Sequence, residues 1–176
     1  SLDIPTRTVT PGVQPFDSFA SVLNVTLDNN RYFARHRASD LRLLCVLQGE
    51  NRADALTWLD TIKVQPFEGW AFGGTMRTDF VHVVEMVLRL IDDGLLGPER
   101  NRLHFLGVSS LKTAVMLSAI QRALREHLLD DDLLITFDTS TPATLTTNGN
   151  MFGYPNLSPT SFAMSVISPP SAQVHV

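Results

Sequence analysis

One stretch decides the fold of this chain: Leu133-Leu134-Ile135-Thr136-Phe137-Asp138-Thr139-Ser140-Thr141-Pro142. Its first five residues are almost continuously apolar, a pattern typical of a buried parallel strand. Small polar residues and a proline then stop the strand, so Asp138 lies just past its carboxyl end. Proteins of the α/β class place their chemistry at this edge of the sheet. Asp138 is therefore either a functional carboxylate or a side chain that caps the following turn.

Strand and helix patterns alternate along the rest of the chain. Strands are predicted at 41–47, 69–72 and 103–108, and helices at 51–63, 78–93 and 111–128. A repeat of roughly 25–35 residues is typical of right-handed βαβ units, which build a parallel sheet. Residues 1–5 resemble the end of one more strand, and a helix is expected over 27–37, entered through Asp28 or Asn29. The helix over 78–93 is expected to bury an apolar stripe: Val81, Val84, Val87, Leu88 and Ile91.

Composition is that of one soluble globular domain. The chain has 176 residues, of which 44% are hydrophobic and 18% charged. No apolar run approaches the roughly 18–20 residues that a membrane span needs, so no membrane contact is expected. Cys45 is the single cysteine and lies in an apolar run, which predicts an inert core thiol and a reducing, cytoplasmic location. The five histidines lack ligand spacing, so we predict no metal and no cofactor.

Charge argues against a generic basic nucleic-acid binder, because the formal net charge is −4. One basic cluster is the exception, and it surrounds the helix predicted over 27–37. This cluster is either a solvated face or a contact for a phosphate backbone. Its members are Arg31, Arg35, His36, Arg37 and Arg42.

Polar residues and glycines follow each of the five predicted strands. In a parallel sheet the carboxyl ends of the strands share one edge, so together these residues can surround a flat polar ligand. Glycines also occur at strand ends simply because helices pack closely there. The residues in question are Asp3, Gln48-Gly49, Gly73-Gly74, Gly107-Val108-Ser109 and Asp138.

Four ordered motifs contain these strand ends: Val46-Leu47-Gln48-Gly49, Gly69-Trp70-Ala71-Phe72-Gly73-Gly74, His104-Phe105-Leu106-Gly107-Val108 and Phe137-Asp138-Thr139-Ser140-Thr141-Pro142. In this order they resemble the motifs of the guanine transglycosylases. That superfamily includes the queuine and archaeosine tRNA transglycosylases and the phage and bacterial enzymes that put 7-deazaguanines into DNA. The resemblance covers about residues 1–145, and residues 146–176 are expected to form an irregular tail.

The resemblance implies a (β/α)8 barrel of TIM type and a base exchange through a covalent glycosyl-enzyme. Asp138 matches the nucleophile, because a carboxylate can both attack C1′ and leave again. Asp3 matches the carboxylate that reads the edge of a guanine-like ring. The remaining substrate-binding positions hold the polar edge of the base or pack beside the ring; they are Gln48, Gly73, Gly74, Leu106 and Gly107. The implied partners are a nucleic acid, either DNA or tRNA, and a 7-deazaguanine base.

Departures from the family pattern favour the DNA-modifying branch. Ala143-Thr144 follows Pro142 where the tRNA enzymes have a Thr-Arg pair, and their downstream Cys3His zinc site has no counterpart. The family's proton-carrying aspartate belongs to an earlier strand, and no residue of this sequence matches it. A closed barrel needs about 250 residues, so we expect the chain to supply about the last five strands. A missing N-terminal segment or a partner chain would then complete the barrel.

Two other functions stay open from the sequence. The first is a non-catalytic accessory subunit, or an inactive fragment, of such an enzyme. The second is an α/β-barrel enzyme that acts on a phosphorylated metabolite, since Gly73-Gly74 could cradle a phosphate.

Overall fold

A computed structural model describes residues 4–9, 11–12, 16–74 and 79–168. Its centre is a four-stranded parallel sheet in the sequential order β1-β2-β3-β4. The strands are β1 (Cys45–Leu47), β2 (Gly69–Phe72), β3 (Arg102–Phe105) and β4 (Leu134–Phe137). The predicted α/β class and parallel sheet are confirmed. Within the described residues the sheet is open, since β1 and β4 each pair with one neighbour, and the closed barrel stays a prediction.

Helices alternate with the strands as predicted: α2 (Arg52–Ile62), α3 (Phe80–Asp92) and α4 (Leu111–Leu128) follow β1, β2 and β3. Each begins where the side chain of the residue before it accepts a backbone N–H three residues further on, as Asn51 does for Asp54. Short 3-10 helices lie at Thr6–Thr8 and Pro98–Arg100.

The first helix, α1 (Phe19–His36), begins earlier than the predicted range 27–37. Ser18 caps it by accepting the N–H of Ser21, and Ser21 Oγ accepts the N–H of Ser18 in return. This reciprocal capping box favours initiation there over initiation at Asp28 or Asn29. The predicted first strand lies mostly in residues 1–3, outside the described part, and Ile4 and Pro5 are not in a strand.

The helices pack on one side of the sheet over two rows of large apolar side chains. Each row contains one residue from each of the four strands, paired in register. One row begins at Cys45 on β1 and ends at Ile135 on β4, and the second begins at Leu47 and ends at Phe137. The stripe predicted for α3 is only partly confirmed: Val87 is buried, whereas Val81 is 66% and Leu88 53% exposed. The buried residues of this helix are His82, Val83, Met86, Val87 and Leu90. Apolar residues lie on more than one side of this helix. Docking against the sheet, and not periodicity alone, therefore determines which side is buried.

The strand that was expected to be fully buried, β4, is an edge strand that is partly exposed on both faces. Leu134 is 39% exposed and Phe137 45% exposed, although Leu133 is fully buried. A continuously apolar run does not reveal whether a strand lies at the centre or at the edge of a sheet, because that depends on its neighbours.

The segment after β4 also differs from the irregular tail expected over 146–176. The short helix α5 (Thr141–Thr147) is followed by an antiparallel hairpin of β5 (Met151–Ser158) and β6 (Ser161–Ile167). The sequence did not reveal this hairpin, because Gly153 and Pro155 interrupt its alternation and a register shift lies between Phe152 and Pro155. β6 contacts α4. None of the described helices combines the length and apolar character that crossing a membrane demands.

Candidate active site

Four predicted site residues occupy one register row at the carboxyl edge of the sheet. Each directly follows the last residue of its strand, and the backbone ladder continues through them. The N–H groups of Gly73, Leu106 and Asp138 donate to strand carbonyls at 2.9, 3.0 and 3.3 Å. The four residues are Gln48, Gly73, Leu106 and Asp138.

Side chains alternate along a strand, so this row faces the same side of the sheet as the residues two positions earlier. Those residues form a register row of their own: Val46, Ala71, His104 and Thr136. Packing agrees with this arrangement, because a Cβ on Gly73 would lie 3.3 Å from Leu106 Cδ1 and 3.5 Å from Val46 Cγ1. The residues therefore share one face, opposite the helix-covered core rows.

Asp138 is held by the turn that follows β3. Its Oδ1 accepts a 2.9 Å hydrogen bond from Gly107 N–H, while the side chain is 60% exposed. Gly107 has a φ of +70°, in the left-handed region that glycine adopts with little strain. The glycine predicted at this strand end thus orients a backbone donor toward the carboxylate, whereas Leu106 is half-buried beside it.

His104 also contacts the carboxylate and was not predicted as a site residue. Its Nε2 lies 3.4 Å from Asp138 Oδ1, and its Nδ1 lies 2.8 Å from Thr136 Oγ1. The ring is three-quarters buried. The signal was present in the sequence, because His104 lies two residues before Leu106 and therefore on the same face of the strand.

Gln48 is buried at 2% exposure and its amide is engaged within the chain. Its Nε2 donates to Ile4 O at 2.8 Å and its Oε1 accepts from Thr6 N–H at 3.2 Å. Thr6 Oγ1 also donates to Glu50 at 2.6 Å. The segment that precedes α1 therefore covers the end of β1, and contact between Gln48 and a base would require that segment to move.

Two further predicted positions complete the description. Gly74 is exposed, with a φ of +62°, and its Cα is close enough to β1 that a Cβ would lie 3.4 Å from Gln48 Cβ. Asp3 lies outside the described residues, as do residues 75–78 after the glycine pair.

The chemistry available at this edge is that of a carboxylate with ordered donors beside it. Such a group can act as a nucleophile or as a base. In the part of the chain that the structure describes, no group of three His, Cys, Asp or Glu side chains could hold a metal ion.

Cys45 is 1% exposed, and burial raises the pKa of its thiol to about 12. The prediction of an inert core thiol is confirmed.

The basic cluster of α1 lies away from this edge. Arg37 pairs with Glu68, the residue before β2, so this part of the cluster lies at the amino edge of the sheet. Arg31 pairs with Asp28. Burial alone would raise the pKa of Glu68, but hydrogen bonds from Leu43 N–H and Arg37 outweigh it and hold that pKa below its usual value. The cluster is partly neutralised and does not contribute to the row that contains Asp138.

Comparisons with models of protein families, with curated proteins and with solved structures found no match.

Proposed function

We propose that this chain carries the nucleophile of a base-exchange glycosyltransferase that replaces guanine in a nucleic acid, DNA in preference to tRNA, by a 7-deazaguanine. One observation carries the proposal. Four residues that the motifs assign to the site fall in a single row on one face at the carboxyl edge of adjacent strands: Gln48, Gly73, Leu106 and Asp138. A shift of one residue in any strand would turn its member to the other face.

In the proposed reaction a carboxylate oxygen of Asp138 forms a bond to C1′ of the sugar. The bond between C1′ and the guanine nitrogen breaks, and guanine leaves with the bonding electron pair. A 7-deazaguanine base then attacks C1′ through its ring nitrogen, and the carboxylate leaves with its electrons. The incoming nitrogen gives up its proton to solvent, which balances the proton that the departing guanine takes up. A carboxylate suits both steps because it is a competent nucleophile and a competent leaving group. The target nucleotide must leave its stack to reach this position.

We further propose that additional strands, from a longer polypeptide or from a partner chain, close a (β/α)8 barrel around the site. A glycosyl ester must be shielded from water, and the Asp138 side chain is 60% exposed in the described part. The exposed apolar residues Leu134 and Phe137 on β4 support this proposal, because their burial would stabilise a closed form. In the closed barrel that we propose, Asp3 is the carboxylate that reads the base. The proposed place of action is the cytoplasm.

A second candidate is a non-catalytic accessory subunit of such an enzyme. The observation that favours it is the engagement of Gln48, whose amide is bonded to Ile4 and Thr6 instead of being open to a base. A subunit that only docks to an active partner would not need to free that amide.

Exchange of labelled guanine tests the proposal, with the longest protein that the gene encodes and with tRNA and duplex DNA as separate substrates. Asp138→Asn should lower incorporation at least about a thousandfold and abolish the covalent intermediate, because a neutral amide cannot attack C1′. The control is Asp131→Asn, which removes the same charge from an exposed turn before β4, at the opposite edge.

The outcomes separate the candidates. Normal exchange by the Asp138→Asn protein would remove Asp138 as the nucleophile. Labelling of DNA alone assigns the DNA-modifying branch. A wild-type protein that exchanges nothing itself, but raises the exchange rate of an active transglycosylase after mixing, would support the accessory subunit.

A further inference from the structure

His104 and Thr136 form a hydrogen-bonded pair beside Asp138, and neither residue has a part in the reaction as proposed above. The two residues are direct register partners on β3 and β4. Asp138 lies two residues after Thr136 and therefore on the same face of β4. Backbone pairing thus brings an imidazole, a hydroxyl and a carboxylate together from two neighbouring strands.

The groups around the ring favour one position for its proton. Thr136 Oγ1 lies 2.8 Å from His104 Nδ1 but 3.5 Å from Leu103 O. A hydroxyl can donate to Nδ1 or accept from it, but a carboxylate only accepts, so a proton on Nε2 beside Asp138 is the favoured arrangement and leaves Nδ1 to accept from Thr136. A neutral ring that accepts at Nδ1 carries its proton on Nε2. That is the nitrogen that lies 3.4 Å from Asp138 Oδ1.

Both contacts to the carboxylate fall on the same oxygen. Gly107 N–H donates to Oδ1, and His104 Nε2 lies nearest to Oδ1 as well. Among the described residues neither a hydrogen bond nor an ion pair engages Oδ2. The side chain is therefore held through one oxygen, and the other keeps its lone pairs for a new bond.

We propose that His104, oriented by Thr136, is a positioning residue that fixes the Asp138 carboxylate so that Oδ2 is the oxygen presented to C1′. The inference rests on the proposed function. No proton moves in this role: the Nε2 proton stays on the ring and interacts with Oδ1 before and after the new bond forms. The benefit is orientation, because a nucleophile already held in its attacking geometry loses less freedom when it reacts.

The first test is the protonation pattern of the ring in the protein without substrate. Nitrogen-15 NMR of histidine-labelled protein should show the Nε2–H tautomer for His104. Thr136→Val removes the donor to Nδ1 with little change in shape, and the pattern should shift toward a mixture with the Nδ1–H form. Thr136→Ser keeps the hydroxyl and should retain the wild-type pattern. A wild-type ring protonated on Nδ1 would overturn the inference.

The second test is kinetic and uses a pair of amide variants. Gln at position 104 extends its amide to the place of Nε2, whereas Asn reaches only the place of Nδ1. His104→Asn should lower kcat about ten- to hundredfold with KM within threefold, and His104→Gln should recover most of kcat. His127→Gln, on the exposed last turn of α4, is the control. Thermal unfolding of each variant shows whether the fold is retained.

Failure of the two proposals is distinguishable. Active wild-type protein together with an unimpaired His104→Asn variant overturns the role of His104 and leaves the transglycosylase proposal standing. Wild-type protein that exchanges no base overturns the transglycosylase proposal and the role in attack that rests on it. The tautomer patterns of the wild type and the Thr136 variants still test, in that case, whether Thr136 donates to His104 Nδ1.

Discussion

Gln121 Oε1 accepts a 2.6 Å hydrogen bond from Ile135 N–H, so a side chain of α4 occupies a backbone donor on the outer edge of β4. The neighbouring N–H of Leu134 faces β3 and donates to Asn101 O. Arg125 Nε donates to Leu133 O at 2.8 Å on the outer side. Two helix side chains therefore protect an edge that would otherwise invite strand pairing, and a strand added beside β4 must displace them.

The first prediction concerns this edge. Gln121→Leu should speed amide hydrogen exchange at Ile135 several-fold, since one hydrogen bond of about 1 kcal/mol is lost, and light scattering should detect more self-association. Gln121→Glu keeps an acceptor and should behave like the wild type. Equal exchange rates in all three proteins would mean that Gln121 does not protect the strand. If a partner chain that closes the barrel slows hydrogen exchange at Ile135 in the leucine variant, that chain supplies a strand that pairs with β4.

The second prediction concerns Gln48 and the segment before α1. Gln48→Leu should lower the free energy of unfolding by about 1–3 kcal/mol, because Ile4 O and Thr6 N–H lose their partner. Urea denaturation measures the change, and hydrogen exchange at Thr6 locates it. Gln121→Leu is the control, because it alters the same side chain elsewhere and should leave Thr6 protected. Unchanged stability in the Gln48 variant would mean that the amide is available to a ligand.

The third prediction compares two glycines with similar backbone conformation. Gly107 has a φ of +70° and Gly94 a φ of +65°, so alanine at either position should cost about 1 kcal/mol of stability. Only Gly107→Ala should also lower base exchange, about tenfold or more, because it disturbs the N–H that binds Asp138. Gly94 ends α3 away from the site and is the matched control. Equal exchange rates in the two variants would contradict a role for the Gly107 donor.

The fourth prediction concerns Cys45 and pH. Burial raises the pKa of this thiol from 9.0 to about 12, so the folded chain keeps a proton that the unfolded chain releases above pH 9. The contribution is fully present below pH 9 and is lost as pH rises toward 12, by about 1.4 kcal/mol per unit. The difference in unfolding free energy between wild type and Cys45→Ala should change with this slope above pH 9 and stay constant below it. A constant difference throughout would contradict the burial.

Several elements could be predicted because local sequence and packing favour the same structure. The strand Gly69–Phe72 and the helix Leu111–Leu128 have the predicted bounds. Ala55, Leu59 and Ile62 stand at helical spacing in the sequence, and all three are buried in α2. The predicted edge location of Asp138 agrees with the register, because an apolar run followed by small polar residues and Pro142 fixes where the strand stops.

Other features could not be predicted because they depend on contacts between segments that are distant in the sequence. The buried face of α3 was predicted only in part, because apolar residues surround much of that helix and Val81 and Leu88 proved to be exposed while Val87 is buried. Gln48 was expected to face a ligand, yet its amide binds Ile4 and Thr6, far away in the chain. His104 was overlooked because its importance comes from Thr136 and Asp138 on the neighbouring strand.

The sequence by itself determined the α/β class, the sequential order of strands and helices, and the position of Asp138 past a strand end. Periodicity, caps and strand stops are local properties, so they can be recognised without the rest of the chain. Only the tertiary structure decided which side chains meet Asp138, which face of each helix is buried, and that β4 is an exposed edge capped by Gln121. Each of these depends on register and docking between distant segments, whose free energy comes from contacts that no single segment contains.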